Sequence, residues 1–137
     1  MLLVEDPPVD RATPTGPMRT YLYRPVPAQG TAGPDRYPGV VLYSEIFQRT
    51  APIHRTANML AGLGFLVAVP EIFHEYEAAG SVLAYDKAGT DRGNELAFLK
   101  CVANGGVCHQ DPCGWCAQHA ARIAIGLAAV GLGYSAP

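Results

Sequence analysis

The sequence predicts an α/β fold built around a strand–helix–strand unit, and three observations support this prediction. A short apolar run, Val40–Tyr43, is typical of a strand that is buried on both faces of a parallel sheet. Pro52 suits the first turn of a helix, and apolar residues then recur at helical spacing through Leu63. A second apolar run, Phe65–Val69, follows directly. We therefore expect two parallel strands joined by a crossover helix.

The residues before this unit predict extended structure and loops. Residues 7–17 contain four prolines, which remove backbone donors and helical options, so we expect an extended or looped lead-in. From Met18 to Arg24 the side chains alternate between two faces, which is typical of a half-buried strand, and we place it at the edge of the sheet. Residues 25–38 are rich in Gly and Pro and predict a surface loop.

An acid follows the first apolar run. Glu45 lies at the carboxyl end of the Val40–Tyr43 strand, and ligands of open α/β sheets bind outside that end. A carboxylate there is either catalytic or a structural acid that caps a helix. Position alone leaves both roles open.

Two further groups of charged residues lie near this edge. Residues 71–80 contain three acids and His74, which could form a metal or acid/base site, but such a group is more often a solvated surface. His54 and Arg55 begin the predicted helix, and we interpret them as a surface cation pair near a carboxylate rather than as catalytic residues.

A second helix is predicted from Asp91 to Lys100, with apolar residues to bury at its centre. Arg92 in this helix is the candidate for holding a substrate carboxylate, because a guanidinium matches carboxylate geometry.

Several segments together resemble a known family. The segments are Pro38–Gln48, Ile53–Arg55, Gly62–Phe65, Val69–Glu75, Leu83–Asp86 and Gly89–Glu95. They look like the amino-terminal half of the dienelactone hydrolase (carboxymethylenebutenolidase-like) family, and the last two resemble a eukaryotic, fungal-type branch of it. The resemblance covers residues 1–100.

The resemblance implies an α/β-hydrolase-type sheet and hydrolysis of lactones or esters by a thiol nucleophile, without a cofactor. In that family the glutamate after the strand contacts the nucleophilic cysteine, and the next residue's backbone N–H helps to form the oxyanion hole. By motif these residues are Glu45 and Ile46. The family's nucleophile motif Gly-x-Cys-x-Gly-Gly is not found in this chain. We therefore expect a partial sheet and a catalytically incomplete product that lacks the Cys-Asp-His triad.

The composition changes after residue 100. All four cysteines lie between Cys101 and His119, and Ala and Gly dominate from residue 120 to residue 133. We divide the chain into a dienelactone-hydrolase-like part, residues 1–100, and a divergent tail, residues 101–137. A frameshift, a retained intron or a misassembled gene would produce such a tail, disordered or out of frame.

An alternative role for the tail is zinc binding or protein interaction. Three thiolates and one imidazole could bind zinc, and two of the cysteines have the Cys-x-x-Cys spacing of a zinc knuckle, although the four residues are more closely spaced than in most structural sites. The candidate ligands are Cys108, Cys113, Cys116 and His119.

A second alternative is a serine nucleophile. Gly133–Pro137 begins like the Gly-x-Ser-x-Gly elbow of serine hydrolases, with Ser135 at the nucleophile position. Pro137 stands where the closing glycine is expected, and proline has no N–H, so this alternative is the weaker one.

Composition excludes other classes of function. The 137 residues fit one domain at most, and 49% hydrophobic with 16% charged residues is a globular composition. A net charge of -2 provides no basic surface for nucleic acid or anionic membrane. No stretch reaches the roughly 20 apolar residues that a membrane span needs, and the amino terminus lacks a signal-peptide pattern. We expect a cytoplasmic protein whose partner is a small ester or lactone.

Overall fold

The computed structural model describes residues 2–26 and 37–103 of the chain, which form four strands and two helices. The strands are β1 (Leu2–Thr13), β2 (Gly16–Val26), β3 (Gly39–Val41) and β4 (Leu66–Pro70), and the helices are α1 (Ala51–Gly62) and α2 (Lys87–Ala103).

The four strands form one mixed sheet in the order β1-β2-β4-β3. β1 and β2 make an antiparallel hairpin, and β2 runs antiparallel to β4. β3 and β4 are parallel neighbours joined through α1, with Val40 opposite Val67. The predicted α/β class and its strand–helix–strand core are therefore confirmed.

The amino-terminal part differs from the prediction. The strand predicted from Met18 to Arg24 is not an edge strand, because β1 pairs along one side of it and β4 along the other. Residues 7–13, predicted as a lead-in, belong to β1. The β1–β2 register shifts between Asp6 and Val9, where Pro7 and Pro8 stand. A bulge at this point accommodates two residues that cannot donate to the ladder, so the prolines do not prevent a strand at the sheet edge.

The core lies on both faces of β2 and β4. One cluster contains Met18, Leu22, Leu66 and Ala68. The other packs against α1 and contains Tyr21, Tyr23, Ala57, Ala61, Val67 and Val69. All five residues of β4 are buried, whereas β3 has only three residues, each half-buried. β3 is thus shorter and more exposed than the apolar run 40–43 predicted, because among the described strands it pairs only with β4.

Both helices begin close to sequence signals. Pro52 lies in the first turn of α1, and Gly64 follows the helix with a positive φ of 96°. α2 begins four residues before the predicted Asp91, because the Asp86 side chain accepts a hydrogen bond from the Gly89 N–H over 2.7 Å and so caps the helix. Neither helix in the described part of the chain is long and apolar enough to cross a bilayer.

Candidate functional site

The candidate site is built on the turn at residues 45–48, which follows β3. The Gln48 N–H donates to the Glu45 carbonyl oxygen over 3.1 Å and closes the turn. Glu45 is exposed and Ile46 is half-buried. Because the turn follows the carboxyl end of a strand parallel to β4, it lies at the edge where α/β sheets bind ligands.

Glu45 does not cap a helix. α1 begins after Thr50 with no side-chain cap and no acidic residue in its first turn. Within residues 7–26 and 37–100, no side chain is bonded to the Glu45 carboxylate. The capping role left open by the sequence is therefore wrong, and the carboxylate is accessible to a ligand.

Gln48 connects this turn to a distant loop. It has a positive φ of 67°, an uncommon conformation for a residue with a side chain, and it is only 1% exposed. Its Nε2 donates to the Ser81 carbonyl oxygen over 3.2 Å. The Leu83 N–H donates to the Phe47 carbonyl oxygen over 3.1 Å, so residues 81–83 support the turn at two points.

Further contacts surround the turn. The rings of Phe47 and Tyr85 lie 4.6 Å apart, and the Tyr85 hydroxyl donates to Thr50 Oγ1 over 2.8 Å. On α2, Gly93 lies so close to Ile46 that a Cβ at Gly93 would be 2.9 Å from the Ile46 Cβ. No local pattern in the sequence indicates these contacts, because each joins residues that are far apart in the chain.

A polar network lies at the start of α1. Arg49 Nε donates to the Tyr23 hydroxyl over 2.7 Å, and Arg49 Nη2 lies 3.1 Å from His54 Nδ1. The Tyr23 hydroxyl lies 2.9 Å from the same nitrogen. Since a guanidinium can only donate, His54 Nδ1 accepts, which places the proton of the neutral imidazole on Nε2.

This network corrects the prediction for His54. It is half-buried and bonded to Tyr23 and Arg49 rather than forming a surface cation pair, because β2 presents Tyr23 on the face that packs against α1. Arg55 is exposed, as predicted. The Arg49 guanidinium also lies 3.9 Å from the centre of the Tyr21 ring. The alternation of β2 indicated that Tyr21 and Tyr23 share a face, but not which residues they contact.

The acids of residues 71–80 do not form a solvated surface. Glu71 is 3% exposed, and its Oε1 accepts from the Tyr21 hydroxyl and from the Gly80 N–H, each over 2.8 Å. Burial raises the pKa of Tyr21, and the hydrogen bond to Glu71 raises it further. The prediction was wrong at Glu71 because the loop folds back onto β2.

The other members of this group bind neighbouring side chains. His74 Nε2 lies 3.1 Å from Thr13 Oγ1 and 3.0 Å from Thr15 Oγ1, and Glu75 accepts from the same Thr15 hydroxyl and pairs with Lys100. Because Glu71 and Glu77 bind other residues, the group as a whole does not converge on one ion. In the part of the chain that the structure describes, no group of three His, Cys, Asp or Glu residues could hold a metal.

Arg92, the predicted ligand of a substrate carboxylate, already binds two protein carboxylates. Its Nη2 lies 2.7 Å from Glu77 Oε1, and its Nη1 lies 2.7 Å from Glu95 Oε2. Hydrogen bonds to Glu95 and Glu77 raise the pKa of Arg92. A substrate would have to displace one of these partners, so the geometry does not favour the predicted role.

The remaining predicted site residues lie outside the described part of the chain. These are Ser135 and the candidate zinc ligands Cys108, Cys113, Cys116 and His119. The same holds for residues 104–137 of the divergent tail. The structure therefore brings together Glu45 and Ile46 from the predicted set, with Gln48, Ser81 and Gly93 as unpredicted neighbours.

Comparison with known proteins gives one curated relative. The chain is 40% identical over 83 residues, or 61% of its length, to a Saccharomyces cerevisiae protein named "Putative carboxymethylenebutenolidase". The chain spans only 29% of the length of that relative. No protein-family model matches. This relative confirms the resemblance inferred from the motifs.

Two solved structures also resemble the chain. The first, described as "Putative Dienelactone Hydrolase from Klebsiella pneumoniae subsp. pneumoniae MGH 78578", is 20% identical with a TM-score of 0.44, covering 80% of this chain and 48% of that one. The second, named m3DLH, is 22% identical with a TM-score of 0.47, covering 74% of this chain and 37% of that one.

Proposed function

We propose, on the basis of the 83 residues that match the yeast relative, that this chain provides the oxyanion side of a lactone or ester hydrolase site. In this proposal Glu45 contacts a thiol nucleophile, and the Ile46 N–H binds the oxygen of the substrate carbonyl.

One observation supports the proposal above the others. No hydrogen bond from the Ile46 N–H or the adjacent Phe47 N–H is found within the described part of the chain, whereas the N–H groups of Gln48 and Thr50 are both bonded, and the resemblance selects Ile46 of the two. An oxyanion donor has to be free of protein acceptors and fixed in place before the substrate arrives. Ile46 meets both conditions, because its N–H is unbonded among the described residues and because it is half-buried in a turn that the bond from Gln48 to Glu45 closes.

The chemistry follows from these two groups. A thiolate attacks the carbonyl carbon, and negative charge develops on the carbonyl oxygen in the tetrahedral intermediate. The Ile46 N–H stabilises that charge, and removal of one such donor typically costs about 100- to 1000-fold in rate. The Glu45 carboxylate, at the exposed side of the same turn, accepts the thiol proton or orients the thiol.

We further propose that this 137-residue chain is catalytically incomplete. The family motif Gly-x-Cys-x-Gly-Gly is not found in its sequence, and neither the nucleophile nor its aspartate and histidine can be assigned. The substrate, a small lactone or ester, and the cytoplasmic location expected from the sequence also remain predictions.

A chimera tests the function of the turn. Residues 38–95 of this chain, which carry the family motifs, would replace their counterparts in the yeast relative, and hydrolysis of a carboxymethylenebutenolide would be measured. We expect an active chimera in which Glu45→Gln lowers kcat by about 100-fold. Asp91→Asn, an exposed acid of α2 that pairs with Lys87, is the control and should leave kcat unchanged.

Two outcomes would overturn the proposal. A folded but inactive chimera would show that this segment cannot serve the reaction. Full activity of the Glu45→Gln variant would show that the Glu45 carboxylate has no role in the reaction. The unmodified 137-residue chain is expected to have no lactonase activity, and turnover that disappears on Glu45→Gln would contradict its incompleteness.

A further inference from the structure

The oxyanion turn and α2 approach each other unusually closely. Gly93 is buried, and a Cβ at that position would lie 2.9 Å from the Ile46 Cβ, 2.9 Å from the Ile46 carbonyl oxygen and 3.0 Å from Cγ1. Such distances are shorter than ordinary van der Waals contact, so one of the two segments would have to move. Two of these three atoms are the carbonyl oxygen and the Cβ of Ile46. Neither can move by rotation of the side chain, so relief of the contact requires the Ile46 backbone to move.

Gln48 fixes the same turn from the other end. Its left-handed φ is unfavourable for a residue with a side chain. Such a conformation persists only where contacts with the surrounding structure hold it. The buried amide provides such a contact, because Nε2 donates to the Ser81 carbonyl oxygen. The orientation of the amide is set by this bond, since only the NH₂ end can face a carbonyl.

We infer that Gln48 and Gly93 are positioning residues for the Ile46 N–H: the side-chain anchor of one and the missing Cβ of the other together fix the direction of the oxyanion donor. This inference rests on the proposed function. It adds two residues, both outside the Glu45–Ile46 pair that the family resemblance supplies, and one of them belongs to a different element.

The geometry gives the size of the effect. A displacement of about 1 Å at a reacting centre can cost about 100-fold in rate, and relief of a 2.9 Å contact requires a shift of several tenths of an ångström. We expect Gly93→Ala to lower kcat by about 10-fold while KM changes by less than about 2-fold, because an oxyanion donor acts mainly in the transition state.

The experiment uses the chimera defined above. Gly93→Ala is compared with Asn94→Ala, a change at the next, exposed position of α2 that should alter neither kcat nor KM. Gln48→Gly is the second variant: it removes the φ penalty but also the bond to Ser81, so a positioning role predicts a lower kcat. If backbone strain alone mattered, kcat would stay the same or rise.

A second measurement separates this inference from the proposed function. In the purified 137-residue chain, Gly93→Ala should shift the Ile46 amide resonance and speed hydrogen exchange of the Gln48 amide, which is bonded to the Glu45 carbonyl oxygen in the same turn, whereas Asn94→Ala should do neither. Unchanged kcat in an active chimera would overturn the inference and leave the proposed function intact. An inactive parent chimera would overturn the function, and an unchanged Ile46 amide in the folded variant would independently overturn the positioning role.

Discussion

At the scale of single residues, burial decides which charged groups require partners. Glu71 is nearly fully buried, and a buried carboxylate is tolerated only when donors replace its hydration. Its two donors come from separate segments, the Tyr21 side chain on β2 and the Gly80 N–H on the loop. Glu71 therefore fixes the loop after β4 to the centre of the sheet.

Removal of one of these donors is expected to destabilise the fold. Tyr21→Phe keeps the ring that packs against Arg49, but among the described residues it leaves the Glu71 carboxylate with the Gly80 N–H as its one donor. We expect the free energy of unfolding to fall by about 1–3 kcal/mol in urea titrations. The control is Tyr85→Phe, which removes a hydroxyl that donates to Thr50 Oγ1, and it should cost less because it takes no donor from a buried carboxylate. Equal losses in the two variants would contradict the role of Glu71.

Glu75 predicts how stability depends on pH. Burial raises the pKa of the Glu75 carboxyl, but the hydrogen bond and charge of Lys100, with smaller contributions from Thr15 and His74, outweigh burial and lower the pKa below its ordinary value of 4.5. The folded state thus binds fewer protons, so the stabilisation is present above pH 4.5 and is lost as the pH falls through the folded-state pKa.

The measurement is the free energy of unfolding of Glu75→Gln between neutral and acidic pH. The variant should be less stable at neutral pH, and its stability should fall less steeply in acid than that of the parent chain. Glu95→Gln, a change at an exposed carboxylate of α2, should keep the parent slope more closely. If the free energy of unfolding of Glu75→Gln fell with pH as steeply as that of the parent chain, the acid sensitivity would come from other groups.

At the scale of elements, α2 shows how a capping residue sets a boundary. Asp86 accepts from the Gly89 N–H with its side chain and from the Thr90 N–H with its carbonyl oxygen. Asp86→Ala should cost about 1 kcal/mol of stability, and Asp86→Asn should restore most of it, because Asn caps helices nearly as well. Thermal unfolding checks this, and equal losses in both variants would show that the charge, not the cap, matters.

Local signals explain which elements the sequence predicted. The apolar runs, Pro52 and the helical spacing after it are all short-range patterns, and they led to the β3–α1–β4 unit. β1 was missed because its prolines argue against a strand, and only the pairing with β2 shows that they occupy a bulge at the edge. The start of α2 was signalled by Asp86, which is a favourable N-cap residue, but the prediction placed it at Asp91.

The site was predictable only where the motif is continuous. Glu45 and Ile46 belong to one segment, so a resemblance identified both. Arg49 and Tyr23 are 26 positions apart and Tyr23 and His54 are 31 apart, so their network needs the register of β2 against α1. The Gly93 contact with Ile46 likewise depends on how α2 packs, which no periodicity in the sequence specifies.

At the scale of the whole molecule, the sheet is unevenly protected. β4 lies between β2 and β3, and its five residues are buried. β3, which leads into the turn at residues 45–48, has three half-buried residues and one partner strand among those described. Amides open with a free energy that depends on burial and on the bonds that must break, so the two parallel strands should differ in local stability.

Hydrogen exchange of the 137-residue chain measures this difference. The amides of Val67 and Val69 in β4 should exchange most slowly, and those of β3 should exchange faster, because fewer buried contacts must be broken to expose them. The turn at residues 45–48 should follow the exchange of β3 unless its contacts with Ser81 and Gly93 hold it independently. A Gln48 amide that exchanges more slowly than the β3 amides would show that α2 and residues 81–83, rather than β3, hold the Ile46 backbone in place. A Gln48 amide that exchanges as fast as those of β3 would show the reverse.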